Sequence, residues 1–115
     1  MTVRILHNPR CSKSRATLAL LREQGIEPEV SLYLESPPTA GELKSILRKL
    51  GLRARQLLRT GEAAFKELGL DKTGISEEQL IAAMESHPEL IERPIVLAGG
   101  RAAIGRPPES VLEIL

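Results

Sequence analysis

Aromatic residues are almost missing from this chain: one Tyr, one Phe and no Trp among 115 residues. Any core must therefore be aliphatic, built from Leu, Ile, Val and Ala. There is one cysteine, Cys11, so no internal disulfide can form, and a reducing compartment is expected. Neither sign of charge dominates, with 16 Lys and Arg against 15 Asp and Glu. A general nucleic-acid or membrane surface would want a basic excess, so neither partner is expected. No apolar run reaches the length that spans a bilayer, and no secretory signal is visible at the start. A cytoplasmic, monomeric protein is the expectation. One cysteine and two separated histidines, His7 and His87, also make no metal-ligand spacing.

Against that background the stretch His7 to Leu21, HNPRCSKSRATLALL, stands out. Val3 to Leu6 reads as a short strand, and Pro9 prevents the ladder from continuing. Ala16 to Leu21 is a strongly helical run, with Gly25 placed to end it in a left-handed conformation. Cys11 then falls at or beside the helix N-cap, where the amides of about residues 12 to 15 lack helical partners. Those N–H groups and the helix dipole favour a thiolate and a bound oxyanion. Arg10, Lys13 and Arg15 add positive charge to the same turn. A lone Cys is often a small buried hydrophobe, but neighbours of this polarity do not describe a core.

Further along, Val30 to Leu34 reads as a second strand, completing a βαβ unit with parallel pairing. Ligand chemistry is then expected at the carboxyl end of the first strand, where Cys11 lies. Ser36-Pro37-Pro38 breaks the chain. Capping boxes at Thr39–Glu42 and Ser76–Gln79 open helices, with a short helical turn or loop expected at 53–59 and a short helix at 62–68 between them. Pro94 to Leu97 reads as a third strand, Gly99-Gly100 as a hairpin turn and Arg101 to Gly105 as a fourth strand. A terminal helix over Glu109 to Leu115 should turn Val111, Leu112 and Leu115 inward. The expectation is one α/β domain over residues 1–115: a βαβ unit, a helical insertion at about 39–86, then ββα. The sheet should be four-stranded, mixed and flanked by helices.

A strand with a cysteine at its exit, a following helix and a late hairpin preceded by proline resemble the parts of a thioredoxin-like fold. That resemblance puts Pro94 beside Cys11. Ser14 stands where a dithiol enzyme of this fold would carry its second cysteine, so Cys11 cannot close a disulfide within its own motif. A phosphatase-type C-x₅-R is also absent, because Thr17 occupies the arginine's place. His7, four residues before Cys11, is a candidate for tuning the thiol, though a strand-end histidine without a role fits the spacing equally well. Arg59, Arg93 and Arg106 carry the permanently charged forks that suit a tetrahedral oxyanion. Arginines are usually solvated, but two of these precede prolines at strand boundaries.

Taken together, HNPRCSKSRATL, LYLESPP at 32–38, LLRTG at 57–61, KELGL at 66–70, HPELIERPIV at 87–96 and GRPPESVLEIL at the end resemble the ArsC family. These are the glutaredoxin-coupled arsenate reductases, and the resemblance runs over nearly the whole chain. It implies that Cys11 is the nucleophile and that Arg59, Arg93 and Arg106 bind the oxyanion. His7, Ser14, Arg15 and Pro94 would support them. It also implies arsenate or a similar oxyanion as substrate, glutathione as co-substrate, glutaredoxin as partner, and no metal or bound cofactor. Two alternatives share the fold: a thiol enzyme acting on glutathione adducts, and a non-enzymatic interaction protein resembling the Spx-type transcription regulators. Three matched arginines favour the first reading over a glutathione-only enzyme. The missing second cysteine counts against a redox-sensing regulator.

Overall fold

The computed structural model describes residues 2–115 and forms two compact units. One comprises the chain up to Ser36 together with Arg93–Leu115; the other is Pro37–Glu92. The first carries a four-stranded mixed sheet: β1 (Val3–Leu6), β2 (Glu29–Ser31), β3 (Ile95–Ala98) and β4 (Arg101–Ile104). The strand order is β2-β1-β3-β4. β1 runs parallel to β2 and antiparallel to β3, and β3 to β4 is the expected hairpin. This is the thioredoxin-like arrangement anticipated above.

Period-two alternation divides the strand side chains between two faces, and both are buried at the centre of the sheet, where Leu6 and Ile95 lie opposite to Ile5 and Val96. Val3 pairs with Ala98, Ile5 with Val96, and Val96 in turn with Ala103. All five point to one face, where they meet Leu18 and Leu21 of the helix α1 (Ser12–Glu23) and Val111 near the terminus. In α1 the buried positions Ser14, Thr17, Leu18 and Leu21 recur at helical spacing. Gly25, at φ 78°, ends the helix as expected.

Two local expectations are corrected. β2 stops at Ser31 because Leu32 turns the chain: its carbonyl accepts from the amides of Glu35 and Ser36, both at 3.0 Å. Leu32 and Leu34 are exposed while Tyr33 is buried. The terminal segment Pro108–Ile114 is a 3₁₀ helix rather than an α-helix. With three residues per turn, Val111 and Ile114 share the side packed on the sheet, and Leu112 and Leu115 face outward. A 3.6-residue period would have paired Val111 with Leu115.

The second unit holds the helices expected in the insertion: α2 (Ala40–Leu50), α3 (Ala54–Leu57), α4 (Ala63–Glu67) and α5 (Glu77–Ser86), then a 3₁₀ turn, Pro88–Leu90. Both capping boxes are formed, at Thr39–Glu42 and Ser76–Gln79. Two carboxylates of α5 reach other helix N-termini. Glu85 accepts from the Ala40 amide at 2.9 Å and Glu77 from the Ala54 amide at 2.8 Å, each placing negative charge at a positive dipole end. Leu43, Ile46, Leu57, Leu80, Met84 and Leu90 are buried within this unit.

The 3₁₀ geometry separates neighbouring residues in energy. Val111→Ala should lower unfolding free energy by about 2 kcal/mol, and Leu112→Ala by about 0.5 kcal/mol or less. Urea denaturation of both variants checks this, and equal losses would restore the α-helical register.

Candidate active site

Cys11 is the N-cap residue of α1, in an extended conformation at φ −92° and ψ 122°. A tight turn delivers it there: the Cys11 amide donates to the Asn8 carbonyl at 3.0 Å, and the Arg10 amide to Asn8 Oδ1 at 3.0 Å. Asn8 is itself buried, and its amide donates to Ser14 Oγ at 3.0 Å. Asn8 therefore organises the loop between strand and nucleophile. In the sequence its signal is the Asn-Pro turn dipeptide, which carries no charge.

Burial is the largest influence on the Cys11 thiol and pushes its pKa up. Opposing it are the Ser14 amide, the Arg93 guanidinium and the Lys13 amide, which together hold the thiol below its ordinary value. The expected row of free amides over residues 12 to 15 is shorter than anticipated. Arg15 N–H already donates to the Cys11 carbonyl at 3.0 Å, as the first bond of the helix.

Arg106 comes from the far end of the hairpin. Its Nη2 lies 3.6 Å from Cys11 Sγ while its Nε donates to the Arg93 carbonyl at 2.8 Å. One guanidinium thus reads both the thiol and the backbone just before β3. Pro94 follows an Arg93–Pro94 cis peptide, and its carbonyl accepts from the Gly105 amide at 2.9 Å. Cys11, Arg93, Pro94 and Arg106, spread over the sequence, are brought together in the first unit.

His7 follows β1 and is buried, with Nδ1 2.6 Å from Ser14 Oγ. Burial, then the positive charges of Arg22 and Arg15, lower its pKa. A neutral ring protonated on Nε2 lets the Ser14 hydroxyl donate to Nδ1 while accepting from the Asn8 amide, which satisfies all three buried groups. Arg15 donates from Nη1 to the Pro9 carbonyl at 2.8 Å, bracing the same loop. His7, Ser14 and Arg15 shape the turn that holds the thiol.

Arg59 belongs to the second unit. It follows an isolated antiparallel bridge between Leu58 and Ile91, its amide donates to the Leu90 carbonyl at 2.8 Å, and its Nη1 meets Glu92 Oε1 at 2.6 Å. Glu62 is a second carboxylate at 3.5 Å from its Nε. Among the described residues, no group of three or more His, Cys, Asp or Glu side chains is placed to hold a metal ion. No helix there is long and apolar enough to cross a membrane.

The family model for the ArsC family matches residues 6–114. This chain belongs to the ArsC family. It is 59% identical to the Escherichia coli protein YfgD, described as uncharacterized, over 98% of this chain and 96% of that protein. It is 53% identical to an arsenate reductase of Haemophilus influenzae, with complete coverage of both. A solved arsenate reductase from Vibrio cholerae superimposes with a TM-score of 0.97 at 55% identity, covering 100% of this chain and 98% of that one.

The environment of Cys11 predicts a pH profile. Because its pKa is lowered, thiolate persists below the ordinary thiol range, and iodoacetamide should alkylate Cys11 with a midpoint below that of a free thiol. Arg106→Ala removes a cation near Sγ, so the midpoint should rise; an unchanged midpoint would remove Arg106 from thiolate stabilisation. His7 makes a second prediction. A folded pKa below the ordinary 6.5 means that the unfolded chain binds the proton more readily. Stability is then complete above pH 6.5 and is lost as pH falls through the folded value. Denaturant midpoints should decline on acidification more steeply for wild type than for His7→Gln.

Proposed function

We propose that this ArsC-family protein reduces arsenate to arsenite through an adduct on Cys11, drawing its electrons from glutathione and glutaredoxin. The observation that carries the reading is the thiol at the head of α1, held below its ordinary pKa with the Arg106 guanidinium 3.6 Å from Sγ. A nucleophile and an oxyanion receptor occupy one place. Relatives at 53% identity over nearly full length are arsenate reductases, which directs the choice among oxyanions.

In the first step the Cys11 thiolate attacks arsenic, an S–As bond forms, and an As–O bond breaks, its oxygen leaving as hydroxide that takes a proton from solvent to become water. Arg93 and Arg106, with the amides of Lys13 and Ser14, neutralise the oxyanion and assist departure of the oxygen. Arg59 is the third proposed oxyanion ligand, on the strength of its matching segment LLRTG. Glutathione then adds to arsenic through its sulfur with loss of a second water. A glutaredoxin thiolate attacks the glutathione sulfur, forming a mixed disulfide, and the S–As electron pair stays on arsenic, now As(III). Hydrolysis releases arsenite and returns Cys11 as the thiol. Two thiols are oxidised to one disulfide as arsenic gains two electrons. Ser14 in place of a second cysteine is the reason both come from outside, which fits a cytoplasm rich in reduced thiols.

The test is arsenate-dependent NADPH oxidation coupled through glutathione, glutaredoxin and glutathione reductase. Wild type should turn over and Cys11→Ser should not. Arg93→Ala should lose about 1–3 kcal/mol of transition-state stabilisation, roughly five- to 150-fold in kcat/KM. A folded wild type that remains inactive with several glutaredoxins would refute arsenate reduction.

A further inference from the structure

Gly105 directly follows β4 and precedes Arg106, and its φ is not positive. Its backbone conformation is therefore open to other residues, and what it requires is space. A Cβ built there would collide with Thr17 Oγ1 and would sit 2.8 Å from Pro94 Cγ and 3.1 Å from Thr17 Cγ2. Both neighbours are anchored. Thr17 is fully buried, and its Oγ1 donates to the Lys13 carbonyl at 2.8 Å, so swinging it away breaks a bond in the first turn of α1. Pro94 is tied to Gly105 itself, whose amide donates to the Pro94 carbonyl at 2.9 Å.

Each element that crowds this point also carries a group facing Cys11. α1 carries the Lys13 and Ser14 amides, the segment before β3 carries Arg93, and β4 leads directly into Arg106. The hydrogen bond from Arg106 Nε to the Arg93 carbonyl locks the last two together at 2.8 Å.

We propose that Gly105 is a positioning residue for the nucleophile: the missing side chain lets α1, Pro94 and Arg106 converge closely enough for both guanidiniums and the helix amides to reach Cys11 Sγ. Any side chain at 105 would wedge the helix away from the hairpin. Cys11 would lose its stabilising donors while the sheet and its core stayed paired. Gly105 touches neither oxyanion nor thiol and acts through Thr17, Pro94 and Arg106. The inference rests on the reading of Cys11 as a thiolate nucleophile, but not on arsenate as its substrate.

The experiment is the pH dependence of Cys11 alkylation by iodoacetamide in wild type, Gly105→Ala and Gly105→Ala/Thr17→Ala, with folding followed by circular dichroism. Gly105→Ala should raise the midpoint, and each unit of rise lowers the rate about tenfold at pH values below both midpoints. The double variant frees the helix side of the contact and should move the midpoint back toward wild type. A folded Gly105→Ala with the wild-type midpoint would overturn the proposal, as would a double variant no closer to wild type than the single. If Gly105→Ala does not fold, Thr17→Ile crowds the same space from the helix with the glycine retained. A raised midpoint supports the proposal, and an unchanged one in the folded variant rejects it. Because alkylation needs no oxyanion turnover, a protein that alkylates normally yet reduces no arsenate counts against the proposed function alone.

Discussion

Holding a thiolate in a partly buried place is the constraint on which the rest of the first unit depends. Desolvation disfavours the anion, and it is the largest influence on Cys11. The compensation does not come from local sequence alone: beside the amides of Lys13 and Ser14 in α1 stands the distant Arg93 guanidinium. Arg93 adds to the compensation from 82 residues away, and Arg106 brings a second guanidinium to 3.6 Å of Sγ from 95 residues away. The parallel β1–β2 pair places the helix, the antiparallel β1–β3 pair places Arg93, and the hairpin returns Arg106 to the same end.

The polar loop before the nucleophile obeys the same economy of donors. His7, Asn8 and Ser14 are buried, and each would be costly if left unsatisfied. Two short bonds to one hydroxyl settle them, with His7 neutral. A second cysteine at position 14 could not serve this network equally well, because a thiol is a weak donor and a weak acceptor. The residue that removes internal disulfide chemistry is also the one that fixes the shape of the loop.

In the second unit, stability and charge are handled by different means. The capping boxes satisfy the first amides of α2 and α5 locally, and Glu77 and Glu85 do the same for helices remote in sequence. Arg59 is held by Glu92 across the bridge formed by Leu58 and Ile91. A permanently charged guanidinium in such a pair keeps its position, with part of its donor fork committed to a carboxylate.

Signals that act over a few residues were legible in the sequence. They include Cys11 at a helix start, Thr39 and Ser76 as caps, the glycine that ends α1, the Gly99-Gly100 turn, and the short strand β1. Each of these is decided by the conformational preference of one residue or by a hydrogen bond within one turn. What tertiary structure decided was everything set by contact or by competition between local options. β2 is short because the Leu32 carbonyl recruits two amides, and the last helix is 3₁₀ because the sheet receives Val111 and Ile114 together. Asn8 looked like an ordinary loop residue and Gly105 like the last residue of a strand, since neither a buried hydrogen-bond hub nor a missing Cβ leaves a periodic trace. The sequence alone determined which residues could stabilise a thiolate; only the folded chain determined that Arg93 and Arg106 meet at Cys11, because distance in space is not written in spacing along the chain.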